Sequence, residues 1–323
     1  MGKTYSEIRT SILMRVSSQK RIQEWYETKT LQFGCAANWI DYAFKDKTNP
    51  TGDFFECIFA HTTMDDPRIF KMADIKGEPM GDNLLITVNK TDNSCLLRFE
   101  PTILMPVLCL YSFDVPTILA AEDDGSKTRC MRFNLDKYRK AMGYPEKGTS
   151  FLFITDPISF VEDLRYAIPD AVKHNQENLT SERFYGHFNP NEPFFCKGIN
   201  YHRHQKNELF FDQPETSEDL FWKLPEYEWQ SEMRIAIPNI NFKQAFDPQN
   251  QPYVYKKNTL AVYLPNFHKY ARVFSANDAH SLLFNNSKSD GDECGFRVLR
   301  LTVDEINHSS LSTQNGVNHG ISK

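Results

Sequence analysis

The residues best equipped for chemistry lie in one short run, Glu226-Tyr-Glu-Trp-Gln-Ser-Glu-Met-Arg-Ile-Ala-Ile237. Read as a strand over 229–237, it sends Trp229, Met233, Ile235 and Ile237 toward a core. Glu226, Glu228, Gln230, Glu232 and Arg234 then form a polar row, with successive members ~6.5–7 Å apart. Gln-x-Glu sets an amide and a carboxylate side by side on one rigid element. One group can orient a nucleophile while the other engages a sugar hydroxyl, and a fixed carboxylate can stabilise positive charge that develops in a transition state. The competing reading of the same row is an edge strand with a solvated face, on which Glu232 and Arg234 compensate each other's charge.

Several elements must hold this run in place. Ser217 is a good N-cap, Glu218 and Asp219 suit a first helical turn, and Pro225 ends the helix expected over 217–224. A buried strand is expected over 103–113, with Pro106 inside it. It should neighbour 229–237 in a central, mainly antiparallel sheet, because both apolar runs carry a polar reach at one end. Elsewhere the periodicity predicts one or two amphipathic helices over 6–27, a short strand at 31–34, a helical turn at 38–44 and a hairpin over 84–99. It further predicts a strand at 151–155, a helix over 160–167 started by Asp156-Pro-Ile-Ser159, a polar loop over 174–198, and strands at 260–263 and 296–303. One α+β domain should cover 1–303. The Asn, Ser, Thr, Gly and His of 304–323 read as a flexible tail.

Leu31-Gln-Phe-Gly34, Gly52-Asp-Phe-Phe-Glu56, Leu108-Cys-Leu-Tyr-Ser112 and Lys223-x3-Tyr227-x2-Gln230-x-Glu232-x-Arg234 form a wider pattern. It resembles a widespread bacterial family with a Cys-Phe-Ser-type strand and a terminal Tyr-x-x-Gln-x-Glu-x-Arg strand. Here Cys-Leu-Tyr-Ser stands where Cys-Phe-Ser is commoner. The Gln230-Ser231-Glu232 run is also similar to the Gln-x-Glu strand of ADP-ribosyltransferases. That similarity implies an α+β fold with a split, mainly antiparallel sheet and flanking helices, and NAD as a substrate. It implies that Glu232 holds the nicotinamide-ribose 2′-hydroxyl, that Gln230 orients the acceptor and that Tyr111 completes the catalytic set. Ser112, Arg234 and His61 would bind the cofactor. His61 takes the early-strand position because neither Arg nor His stands on 31–34. The acceptor would be a protein or a nucleic acid, and the protein a toxin or phage-defence effector with an antitoxin or inhibitor as partner.

Composition narrows the alternatives. The net charge of −5 excludes a general polyanion binder, which needs clustered Lys and Arg. The basic groups at 20–21, 137–140 and 201–204 read as solvated faces. Twenty-five Phe and 14 Tyr supply a core and leave rings for stacking, including on a single-stranded base. Seven cysteines without a Cys-x-x-Cys read as reduced thiols in a cytoplasmic protein. No signal core and no span of ~18 apolar residues is present, so no membrane partner is expected. His202-x-His204 with Cys196 nearby is a candidate zinc site, but no further ligand stands at a diagnostic spacing, and no metal is assigned. Phosphate-loop, dinucleotide-fingerprint, metalloprotease and esterase signatures are lacking. Two other functions remain open on this reading: a non-catalytic interaction or phage-related structural protein, and a metal-dependent hydrolase using His202 and His204.

Overall fold

A computed structural model describes residues 11–45, 55–67, 84–89, 91, 93–114, 128–134, 149–154, 156–178, 184–202, 208–209, 218–242, 259–275 and 296–302. The expected tail over 304–323 lies outside these residues, as does His204. The first half runs β1 (Ser11–Ser18), α1 (Gln19–Thr28), β2 (Thr30–Phe33), α2 (Ala36–Lys45), β3 (Ala60–Thr63), β4 (Leu84–Asn89), β5 (Ser94–Phe99), α3 (Glu100–Leu104), β6 (Val107–Asp114), β7 (Thr128–Asn134) and β8 (Thr149–Ile154). Then follow α4 (Pro157–Asn178), β9 (Phe184–Gly186), β10 (Phe195–Gly198), β11 (Asn200–Tyr201), β12 (Glu208–Leu209), a 3-10 turn (Glu218–Phe221) and β13 (Trp222–Lys223). A second 3-10 turn (Pro225–Gln230), β14 (Glu232–Ala236), β15 (Ile240–Phe242), β16 (Leu260–Tyr263), α5 (Phe267–Tyr270), β17 (Ala271–Ser275) and β18 (Phe296–Thr302) complete it.

Six strands form the main sheet in the order β10-β14-β6-β1-β8-β17. Every neighbouring pair in it is antiparallel. A second antiparallel sheet has the order β12-β3-β5-β4, with Phe59 stacked on Phe99 at 4.3 Å. The fold mixes helices with mainly antiparallel sheets, as the α+β class requires. The expected neighbours meet: β14 pairs β6 along Glu232↔Tyr111 to Ala236↔Val107. Directly opposed residues share a face, so the ladder sorts the side chains. Leu108, Leu110 and Ser112 of β6 stand with Ile235, Met233 and Leu13 on the apolar face. Cys109 and Tyr111 stand with Arg234 and Glu232 on the other.

Several expectations change. The 6–27 segment is expected to be helical, yet its residues 11–18 form β1, held between β6 and β8. Burial of Leu13 and Met14 in the sheet decides it, and Ser18, whose Oγ accepts from Arg21 N at 3.4 Å, starts the helix only there. The helix expected over 160–167 runs on to Asn178 through Pro169. A proline inside a helix costs ~3 kcal/mol. Burying Ile168 and Val172 returns about 1.5–3 kcal/mol each. Its start is as expected, for Asp156 Oδ1 accepts from the N–H groups of Ile158 and Ser159, each at 3.1 Å. The 103–113 strand is broken by Pro106: 100–104 is helical, and the strand begins at Val107. No helix among the described residues is long and apolar enough to cross a membrane.

Candidate functional site

The run that stood out is not one strand. Pro225 opens a 3-10 turn that extends through Gln230, Ser231 adopts a left-handed conformation (φ 41°), and β14 begins at Glu232. The single polar row over 226–234 is therefore corrected: Glu226 and Glu228 are exposed on the turn, whereas Gln230, Glu232 and Arg234 are buried. The solvated-edge reading is corrected as well, because β14 lies inside the sheet between β10 and β6 and all five of its residues are buried.

A buried ion needs compensation, and the cluster supplies it pairwise. Arg234 is fully buried (0 %). Its Nε donates to Glu232 Oε1 at 2.7 Å. Its two terminal nitrogens donate to the two carboxylate oxygens of Glu56 at 2.8 and 2.7 Å, a bidentate fork. It also donates to the Leu220 carbonyl and lies 4.9 Å from the Trp39 ring centre. Lys223 Nζ donates to Glu232 Oε2 at 2.7 Å and to Gln230 Oε1 at 2.8 Å, and stands 3.3 Å from Glu56 Oε1. Two carboxylates thus face two cations, each cation touching both. Burial alone would raise the Glu232 pKa, but Arg234 and then Lys223 outweigh it and hold the carboxyl well below its ordinary range.

The cluster has an inner and an outer end. Glu56 and Arg234 are closed off at 1 % and 0 % exposure, while Lys223, Gln230 and Glu232 retain 6–8 %. Half-buried tyrosines stand round that outer end. Tyr111 opposes Glu232 in the ladder. Tyr201 Oη accepts from the Glu232 N–H at 2.8 Å. The Tyr227 ring centre lies 5.2 Å from Lys223 Nζ. Burial, and after it the Glu232 charge, raises the Tyr201 pKa, and burial raises that of Tyr111.

Of the six residues singled out, Gln230, Glu232, Arg234 and Tyr111 come together. Ser112 sits beside Tyr111 but points to the opposite, apolar face, where its Oγ has no partner among the described residues. His61 belongs to β3 of the four-stranded sheet, opposite Leu96 and Glu208. Sequence reasoning gave no site role to Glu56, Lys223 or Tyr201. Glu56 and Lys223 both stood in the pattern that carried the resemblance, and a buried Arg demands a second carboxylate; those were the available signals. His202 meets Trp222 edge-on at 5.3 Å, and among the described residues no group of three or more His, Cys, Asp or Glu is arranged to hold a metal. No protein-family model, curated protein or solved structure matches this chain.

Proposed function

We propose that the chain is an NAD-dependent ADP-ribosyltransferase that reacts at the outer end of this cluster. Glu232 faces the ribose, Gln230 orients the acceptor and Tyr111 borders the site. The observation that supports this reading is the convergence of Gln230 and Glu232 on Lys223 Nζ, at 2.8 and 2.7 Å, beside Tyr111 and Tyr201. A carboxylate kept ionised and fixed is suited to an oxocarbenium-like transition state. Its two oxygens offer about four lone-pair sites, and Arg234 and Lys223 take one on each oxygen, leaving room for a ribose hydroxyl. The tyrosines offer faces against which nicotinamide can stack. Arg234, fully buried, orients Glu232 in this reading and does not touch the cofactor. The reading gives no role to His61 or Ser112, and a toxin or defence effector of this kind would act on a protein or nucleic-acid acceptor.

A second reading is favoured by the closure of the charges. Two cations and two carboxylates neutralise one another, which suits a lock that joins β14 to the Glu56 segment in a non-catalytic interaction protein. NAD consumption, and label transfer from NAD into protein and RNA fractions of a cell extract, separates the two. The transferase reading expects transfer by the wild type and a loss of about 10²–10³-fold in Glu232→Gln, with the variant's circular dichroism and melting checked for folding. No transfer by the wild type, or equal transfer by a folded variant, leaves the lock.

A further inference from the structure

A second polar constellation lies where β1 parts from β6. The two strands pair from Ser11↔Asp114 to Met14↔Tyr111, and no pairing follows at Arg15. Arg15 stands in the opening, half-buried, and its Nη1 caps the carbonyl of Cys109. That bond leaves the other edge of the guanidinium, Nε with Nη2, which is the fork that binds two oxygens of one anion. Nε is buried, and among the described residues it has no acceptor and no carboxylate pairs with Arg15. Its guanidinium carbon lies 6.0 Å from the ring centre of Trp25, on α1. Trp25 is 3 % exposed, and its indole N–H is likewise buried with no acceptor among the described residues. Native interiors rarely leave one such donor unmet; here two adjacent side chains each present one. Both are donors only, so one acceptor-rich group answers both.

We propose that Arg15 and Trp25 form a binding site for a tetrahedral oxyanion of the phosphate class, held by the Nε–Nη2 fork of Arg15 and the indole N–H of Trp25. The charge balance agrees. The Glu56–Arg234–Glu232–Lys223 group is neutral within itself, so among the described residues it leaves no carboxylate to neutralise Arg15. Arg15 alternates with Met14 and shares the Leu13 face of β1, opposite Leu152 of β8, so the bound anion lies on the side of the sheet that α1 covers. The site does not depend on the transferase reading, since an oxyanion can bind here whether or not Glu232 does chemistry.

The test is calorimetric titration of the full chain with inorganic phosphate at fixed ionic strength, with chloride as the control, alongside Arg15→Gln and Trp25→Phe. The expected result is saturable phosphate binding by the wild type. Arg15→Gln should weaken it roughly tenfold or more, as loss of a charge-assisted pair does. Trp25→Phe keeps the ring and removes only the N–H, so it should weaken binding by a smaller factor in a protein that melts like the wild type. A parallel arm with adenosine 5′-monophosphate against adenosine assigns the source: tighter binding of the monophosphate than of free phosphate marks an organic phosphate ligand, and equal binding marks the inorganic ion, either one supporting the site. Absence of saturable phosphate binding by the wild type overturns the proposal. So does binding that a folded Trp25→Phe and Arg15→Gln both leave unchanged.

Discussion

Gln230 and Glu232 reach the same ammonium group, Lys223 Nζ, from two kinds of backbone: Gln230 ends a 3-10 turn and Glu232 begins a strand. The left-handed Ser231 between them makes the change of direction. Two residues that would stand ~6.5–7 Å apart on a regular strand therefore converge on one hydrogen-bonding partner.

Gln230→Ala removes the amide oxygen and leaves Lys223 bound to Glu232 and close to Glu56. If Gln230 positions the acceptor, label transfer should fall more than bare NAD hydrolysis. Parallel assays of the two activities give the ratio, and an equal fall in both would remove Gln230 from acceptor positioning.

Arg234→Met should be among the most destabilising single changes in the chain. It leaves two buried carboxylates with only Lys223 between them, and breaking a buried pair from one side typically costs about 3–5 kcal/mol. Urea denaturation of the variant against the wild type measures it. A loss below ~1 kcal/mol, the range of surface pairs, would contradict the buried network.

Acid should act through Glu232. Its pKa lies below the ordinary value of 4.5 in the folded chain, so its stabilisation is complete above that value and is lost as pH falls through it toward the lower folded pKa. Glu232→Gln removes this proton linkage. Stability plotted against pH should therefore fall less steeply below 4.5 in the variant than in the wild type.

Asp219 carries the opposite sign. It is 2 % exposed, Oδ2 has no partner among the described residues, and burial raises its pKa from 3.8 to about 7. The folded chain thus holds a proton that the unfolded chain releases, and stability declines as pH rises from 3.8 to about 7. Asp219→Asn should erase that decline. The variant should gain on the wild type between pH 4 and pH 8 by an amount on the order of a few kcal/mol. Parallel slopes in the two proteins would place the ionisation elsewhere.

What the sequence made legible follows from local physics. The 84–99 hairpin, β2, β16 and the Asp156 helix start carry their own alternation, turn and cap residues, and they form where expected. The pairing of β14 with β6 was also readable, because both are apolar runs that need a partner. β1 was not, since Ile12, Leu13 and Val16 fit a helical stripe as well as a strand, and only its place between β6 and β8 decides the matter. In the site, the alternating types at Gln230, Glu232 and Arg234 pointed to one surface. Nothing local says that Pro225 turns the chain into a 3-10 helix or that Arg234 faces inward. Glu56 could be found only by asking which carboxylate answers a buried guanidinium.

The fork between Arg234 and Glu56 also sets a timetable for synthesis. The two residues are 178 positions apart. At a translation rate of ~5–20 residues per second, that interval takes on the order of 10–35 s. Until residue 234 has been made, the Glu56 carboxylate has no Arg234 to meet and must stay hydrated. The strands β1, β6 and β8, all made before β14, can assemble during that wait. The ribosome therefore delivers the centre of the sheet first, and its deepest charges can close only after a long pause.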